Sequence, residues 1–358
     1  MMSREELDKW RRGKSFFVTR RKPPALPPHG GCIAIFSPST PALAQYPARA
    51  EVALRSLAQE MDCRVVVPPA ANSKQGYTAL SPEAAARELH RLALEPDIHV
   101  IMMAVGGYNS NRILSFLDWE LLAAHPKIYC GYSDASILLM AIQHMCGLVT
   151  LHGPALLPQW GEPGGPFVET VEAFRSVVHG ERVPLRLRPP AGWTAERLDW
   201  AGSQSQLRRA LHPSSGWQAW REGVAEGVLM GGNLATLNGL LGTPWEPRFQ
   251  DAILLWEATG SEAFLPQLER SLTHLVQSNA FEGVTGMLVG RCPDAFPVEG
   301  VTLRDVVLTL TERYGFPIIA DVDLGHTDPI LTFPLGARAS ISAAALGCEI
   351  TLVEKSVE

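Results

Sequence analysis

Through the first 150 residues, short apolar runs alternate with stretches whose apolar positions recur at helical spacing. Residues 33–36, 64–67, 99–105 and 128–130 read as short, buried strands. Between them, residues 48–61 carry a helical pattern, and a second helix opens at Ser81-Pro82-Glu83. Ser81 is a capping side chain there and Pro82 stands at the first helical position. Ala86, Leu89, Leu92 and Leu94 recur along that helix until Pro96 stops it. Residues 134–146 form a further helical pattern, ended by Gly147. Unbroken apolar strands alternating with helices predict a parallel sheet covered on both faces, flavodoxin- or Rossmann-like in kind. Ligands of such sheets gather beyond the carboxyl ends of strands, so the loops after Val105 and Cys130 are candidate sites.

The rhythm breaks over residues 161–230, a stretch rich in Pro, Gly and Arg that nonetheless holds Trp193, Trp200, Trp217 and Trp220. A plain linker has no use for large aromatics. From Gly231 the alternation returns, with strands near 253–256, 286–289, 318–320 and 349–353 and helices near 262–277 and 302–314. The chain therefore divides into an N-terminal α/β domain (1–160), a Trp-rich connecting loop (161–230) and a second, mixed α/β domain (231–358). The total of 358 residues suits two domains of ordinary size.

Composition narrows the partners. A net charge of −6 argues against a nucleic-acid backbone binder, and the one basic cluster, Arg20-Arg21-Lys22, reads as a solvated arm. The longest apolar runs, 100–105 and 137–142, fall well short of the roughly 18 residues a membrane span needs. The first thirty residues show no secretory apolar core. Six cysteines lack CxxC or metal-type spacing, which points to reduced, packed thiols and a cytoplasmic protein.

Four segments carry candidate chemistry. Gly131-Tyr132-Ser133-Asp134-Ala135 joins a strand to a helix; a serine there projects its hydroxyl beside the N–H groups of a helix start, though Ser-Asp is equally a helix cap. Gly106-Gly107-Tyr108-Asn109-Ser110-Asn111 follows another strand and lets backbone N–H groups approach a ligand. It lacks the third glycine of a dinucleotide fingerprint, so a nicotinamide-dependent enzyme is a weak alternative. Glu257 ends an apolar strand. Asp321, Asp323 and His326 share a polar loop after residues 318–320, where the carboxylates either orient the imidazole or, as a lesser alternative, join it as metal ligands. His152, in Leu151-His152-Gly153-Pro154, reads as satisfying a loop hydrogen bond.

In this order and spacing, the segments resemble one family. They are Lys22-Pro23-Pro24, Ile33-Ala34-Ile35-Phe36-Ser37-Pro38-Ser39, the 106–111 and 131–134 motifs, His152-Gly153-Pro154, Gly231-Gly232-Asn233-Leu234, Glu257, Gly325-His326-Thr327 and Pro334-Leu335-Gly336. The chain is similar over nearly its whole length to the serine peptidases that include LD-carboxypeptidases, and within them to the microcin C self-immunity branch. The resemblance implies Ser133 as nucleophile, His326 as general base and Glu257 as the acid that orients it, in a cleft between the domains. Gly107 and Asp134 are assigned as oxyanion-hole donors. Trp200, Trp193, Tyr108 and Asn233 are the expected substrate contacts. Trp200 leads, because aromatics of this loop stack on a nucleotide base in that branch; the other reading is that these tryptophans anchor the loop. No metal or cofactor is implied, and a homodimer is. One departure stands beside the triad: Ala258 occupies a place where the family often has an acid.

The expected activity is hydrolysis of an amide between an aminoacyl group and an adenylate-like moiety. The alternative within the family is release of terminal D-Ala from a murein tetrapeptide. The alternative of another class is a small-molecule binder without catalysis.

Overall fold

In the computed structural model, which describes residues 20–358, β1 (Cys32–Phe36), β2 (Arg64–Val66), β3 (Val100–Met103), β4 (Ile128–Gly131) and β5 (Thr150–His152) form a parallel sheet. Their order is β5-β4-β3-β1-β2. Every residue of β1, β3 and β4 is buried, which is why these strands appear in the sequence as continuous apolar runs. Helices Pro47–Met61, Pro82–Leu94 and Ala135–Cys146 connect or cover them, and Ser81 Oγ accepts from Ala84 N as a cap. Residues 1–19, most of the segment read for a secretory core, lie outside the described residues.

The Trp-rich stretch supplies β6 (Leu185–Leu187), a small hairpin of β7 (Gly192–Trp193) and β8 (His212–Pro213), and β9 (Gln218–Arg221). A second sheet is built on parallel strands β10 (Gly223–Asn233), β11 (Ala252–Glu257), β12 (Val284–Gly290) and β13 (Ile318–Val322). After β14 (Phe333–Leu335) come β15 (Arg338–Ala344) and β16 (Gly347–Leu352), giving the order β6-β16-β15-β10-β11-β12-β13-β9 with antiparallel pairs at both flanks. The fold is thus α/β with one parallel and one mixed sheet.

Two features tie the halves together. β14 leaves the second half and pairs antiparallel with β5 at the edge of the first sheet, burying Phe333 and Leu335. The end of β10 lies directly on the helix that follows Ser133: a side chain at Gly232 would stand 2.5 Å from Ser136 Cβ. The Asn233 N–H donates to Ser136 Oγ at 3.1 Å across the same contact.

Two local expectations change. The helix expected from residue 262 begins at Leu265, because Pro266 in its first turn sets the start; Gly260–Ala263 form a separate tight turn before it. The Arg20-Arg21-Lys22 cluster is not a solvated arm. Arg20 and Lys22 both pair with Glu354 at 3.3 and 3.1 Å, and Arg21 donates its backbone N–H to Gly147 O, fastening this segment to the body.

Candidate active site

Ser133 follows β4 in a turn that places it at φ 60°, a left-handed conformation that costs a serine roughly 1–3 kcal/mol and needs support from its surroundings. That support includes Asp134. Its side chain makes no capping bond to the helix; Oδ2 instead accepts from Asn109 N (3.0 Å), Ser110 N (3.0 Å) and Ser110 Oγ (2.7 Å). The Gly106-Gly107 loop is thereby fixed beside Ser133. The backbone N–H groups of Gly107 and Asp134 have no acceptor among the described residues.

Glu257 is the last residue of β11 and is fully buried. Its Oε2 lies 2.8 Å from His326 Nδ1, and Oε1 accepts from Asn233 Nδ2 at 3.1 Å. Gly325 makes the approach of His326 possible: it adopts φ +107°, and a Cβ there would stand 2.3 Å from Glu257 Cγ. On the far side of the ring, His326 Nε2 lies 3.0 Å from Ser133 Oγ.

Protonation follows from these partners. Burial raises the Glu257 carboxyl, but His326 and the Asn233 hydrogen bond outweigh it, so the net shift is downward and the group is ionised. Burial lowers the His326 imidazole, while the Glu257 charge and hydrogen bond raise it more, and the net shift is upward. An ionised Glu257 accepts only, so Nδ1 carries the hydrogen and Nε2 of the neutral ring is free to accept from the Ser133 hydroxyl. The arrangement can move a proton from hydroxyl to imidazole while a buried carboxylate stabilises the charge formed.

The cleft around this relay holds about 470 Å³ and is lined from both halves of the chain and from the Trp-rich stretch. Gly107, Asp134, Tyr108, Asn233 and Trp200 all border it. Tyr108 is 85% exposed. Asn233 borders the cleft with both amide hydrogens engaged, one on Glu257 and one on Glu262, while its Oδ1 caps the next helix at Thr236 N. The Trp200 ring is set by the Arg49 guanidinium, 4.2 Å from its centroid, and by an edge contact with Tyr46.

Trp193 is placed elsewhere, a correction to the expected substrate contact. It does not border the cleft; its ring packs on Arg291 at 5.0 Å and on His212 across the β7–β8 hairpin. Asp323 also stands apart from His326, accepting from Trp217 Nε1 at 2.9 Å and pairing with Arg291. Among the described residues, no group of three or more His, Cys, Asp or Glu is placed to hold a metal ion. His152 makes no loop hydrogen bond: it is buried in β5, and neither ring nitrogen has a partner among the described residues. That burial pushes its imidazole down to about 4.

Sequence reasoning missed Arg209. From the Trp-rich stretch it reaches into the cleft wall, pairing with Glu162 and Asp328, both at 2.8 Å. Asp328 also accepts from Gln159, whose amide meets the Tyr132 hydroxyl. This chain of contacts braces the residue preceding Ser133.

Comparison with known proteins gives the geometry its family. The profile of the LD-carboxypeptidase N-terminal domain matches residues 33–153, and that of the LD-carboxypeptidase C-terminal domain matches residues 226–341. The chain belongs to the LD-carboxypeptidase family. The family is a peptidase family, so its member here is a hydrolase. A putative carboxypeptidase of Bacillus subtilis, YocD, is 34% identical over 88% of this chain and 94% of its own length. The microcin C7 self-immunity protein MccF of Escherichia coli is 32% identical over 72% of this chain and 74% of its own. Among solved structures, MccF in complex with aspartyl sulfamoyl adenosine has a TM-score of 0.85 at 29% identity, covering 94% of this chain and 100% of that one. MccF in complex with glutamyl sulfamoyl guanosine has the same TM-score and identity, covering 94% and 99%. LD-carboxypeptidase family membership and likeness to the microcin-immunity branch match the expectations from sequence.

Proposed function

We propose that this protein is a serine-type hydrolase of the microcin-immunity kind, cleaving the amide-like bond between an aminoacyl group and a nucleotide-like moiety. The observation that carries the reading is the position of His326, 3.0 Å from the Ser133 hydroxyl and 2.8 Å from the Glu257 carboxylate. Ser133 Oγ attacks the acyl carbon as His326 Nε2 takes its proton, and Glu257 stabilises the imidazolium. The Gly107 and Asp134 N–H groups receive the oxyanion; one such donor is typically worth about 3–4 kcal/mol. His326 then returns the proton to the leaving nitrogen. Water, deprotonated by the same imidazole, releases the acyl group from Ser133. Trp200 at the cleft wall offers a π face for the base, and the similar protein MccF is known in complex with glutamyl sulfamoyl guanosine and aspartyl sulfamoyl adenosine.

The test is a substrate panel of aminoacyl sulfamoyl adenosines and a murein tetrapeptide, read by mass spectrometry with Ser133→Ala as control. Cleavage of the nucleotide conjugates by the parent protein and not by the variant is expected. Undiminished cleavage by Ser133→Ala contradicts the nucleophile, and turnover of the tetrapeptide alone contradicts the substrate class.

A further inference from the structure

The cleft wall holds four carboxylates, Asp134, Glu196, Glu262 and Asp328. Asp328 is neutralised by Arg209, and Asp134 is occupied by the N–H and hydroxyl donors of the 109–110 loop. Glu196 is exposed to solvent and accepts from Ala210 N. Arg197, also at the wall, is already paired with Asp294 and bonded to Thr259 Oγ1. Glu262 differs from all of these. It is half-buried and makes no ion pair with Arg or Lys among the described residues; its side chain's one hydrogen bond comes from Asn233 Nδ2 at 3.2 Å, onto Oε2.

The placement is a consequence of the local chain. Pro266 delays the helix to Leu265, and the tight turn Gly260–Ala263 carries Glu262 back toward the end of β11. Asn233 then bridges Glu262 to Glu257, so the carboxylate is held at a fixed distance from the catalytic acid. Burial, with the neighbouring Glu257 and Asp134 charges, raises the Glu262 carboxyl on balance, against the lowering effects of the Asn233 bond and of His326, whose own partner is Glu257. A carboxylate kept half-dry and next to another negative charge is stabilised by a cation brought in with the ligand.

We infer that Glu262, held by Asn233, is the subsite for the ammonium group of the substrate's aminoacyl part, selecting substrates with a free amine. This rests on the hydrolase reading above. An aminoacyl carbonyl presented to Ser133 carries its ammonium on the adjacent carbon, close to the cleft walls that flank the relay. Capping that amine removes the positive charge and leaves Glu262 unpaired, which a half-buried carboxylate resists.

The test uses Ser133→Ala protein, so that ligands survive, titrated calorimetrically with alanyl sulfamoyl adenosine and with its N-acetyl form. The free amine is expected to bind about tenfold more tightly or better, and adding Glu262→Gln, which keeps the shape and the Asn233 contact, is expected to remove most of that difference. A preference that survives Glu262→Gln, or equal binding of the two compounds to the parent, overturns the inference and leaves the hydrolase reading standing. Failure of both compounds to bind overturns the inference together with the substrate class on which it rests.

Discussion

His326 Nε2 lies 3.0 Å from the Ser133 hydroxyl across 193 residues of chain. The serine comes from the turn after the first sheet's β4, the histidine from the loop after the second sheet's β13, and the acid from the end of β11. The relay therefore depends on how the two halves dock, and the docking is specified at close range. The contact of Gly232 with Ser136, the Asn233 hydrogen bond to Ser136 and the return of β14 to the first sheet all lie within a few residues of the reacting groups.

The pH dependence follows from the His326–Glu257 pair. The base must be neutral to act, and the net shift of His326 is upward, so kcat/KM is expected to rise with pH through a value above the ordinary histidine value of about 6.5. Glu257→Gln removes the larger of the two carboxylate charges, Glu257 and Glu262, that hold this value up. Its profile should shift to lower pH, and its plateau should fall by about 10⁴-fold as tautomer control is lost. A pH–rate profile of both proteins measures the two effects together.

Arg209 links the Trp-rich stretch to the site. Glu162 is fully buried and Asp328 nearly so, and Arg209 pairs with both. Arg209→Ala is expected to cost about 3–5 kcal/mol by leaving buried carboxylates without their cation, read as a lowered midpoint in urea unfolding. Some charge at Glu162 remains balanced by Arg49, 3.8 Å away, so the lower end of that range is the expected outcome.

The two tryptophans should separate cleanly. Trp200 borders the cleft, so Trp200→Ala is expected to weaken binding of a nucleotide-bearing ligand by about 1–3 kcal/mol. Trp193 packs on Arg291 away from it, so Trp193→Ala should leave that affinity near the parent's and lower stability instead, by about 0.5–2 kcal/mol. Titration calorimetry and thermal unfolding of the two variants check both halves of the statement.

Much of this architecture is legible in the chain because it is written in local terms. Strands such as β4 and β11 are buried throughout, so they appear as apolar runs, and the polar residue just beyond or at their ends marks a candidate site. Ser133, Glu257 and His326 are each visible in this way. What local pattern does not carry is the choice among partners distant in sequence. The acid beside His326 is Glu257, 69 residues away, and not Asp321 or Asp323 from its own loop. Asp134 has the sequence context of a helix cap but bonds to a loop 24 residues earlier. Arg209 and Glu162 give no motif, since their pairing exists only once the Trp-rich stretch is folded over the cleft. β14 is three residues long in a proline-containing loop, too short to leave a periodic signal.

The most direct test of the split relay is labelling with a fluorophosphonate, followed by peptide mapping on the parent protein and on His326→Ala. A single adduct on Ser133 is expected in the parent protein, with its rate of formation reduced by several orders of magnitude in His326→Ala. An adduct on another residue, or labelling of Ser133 at an unchanged rate without His326, would contradict it.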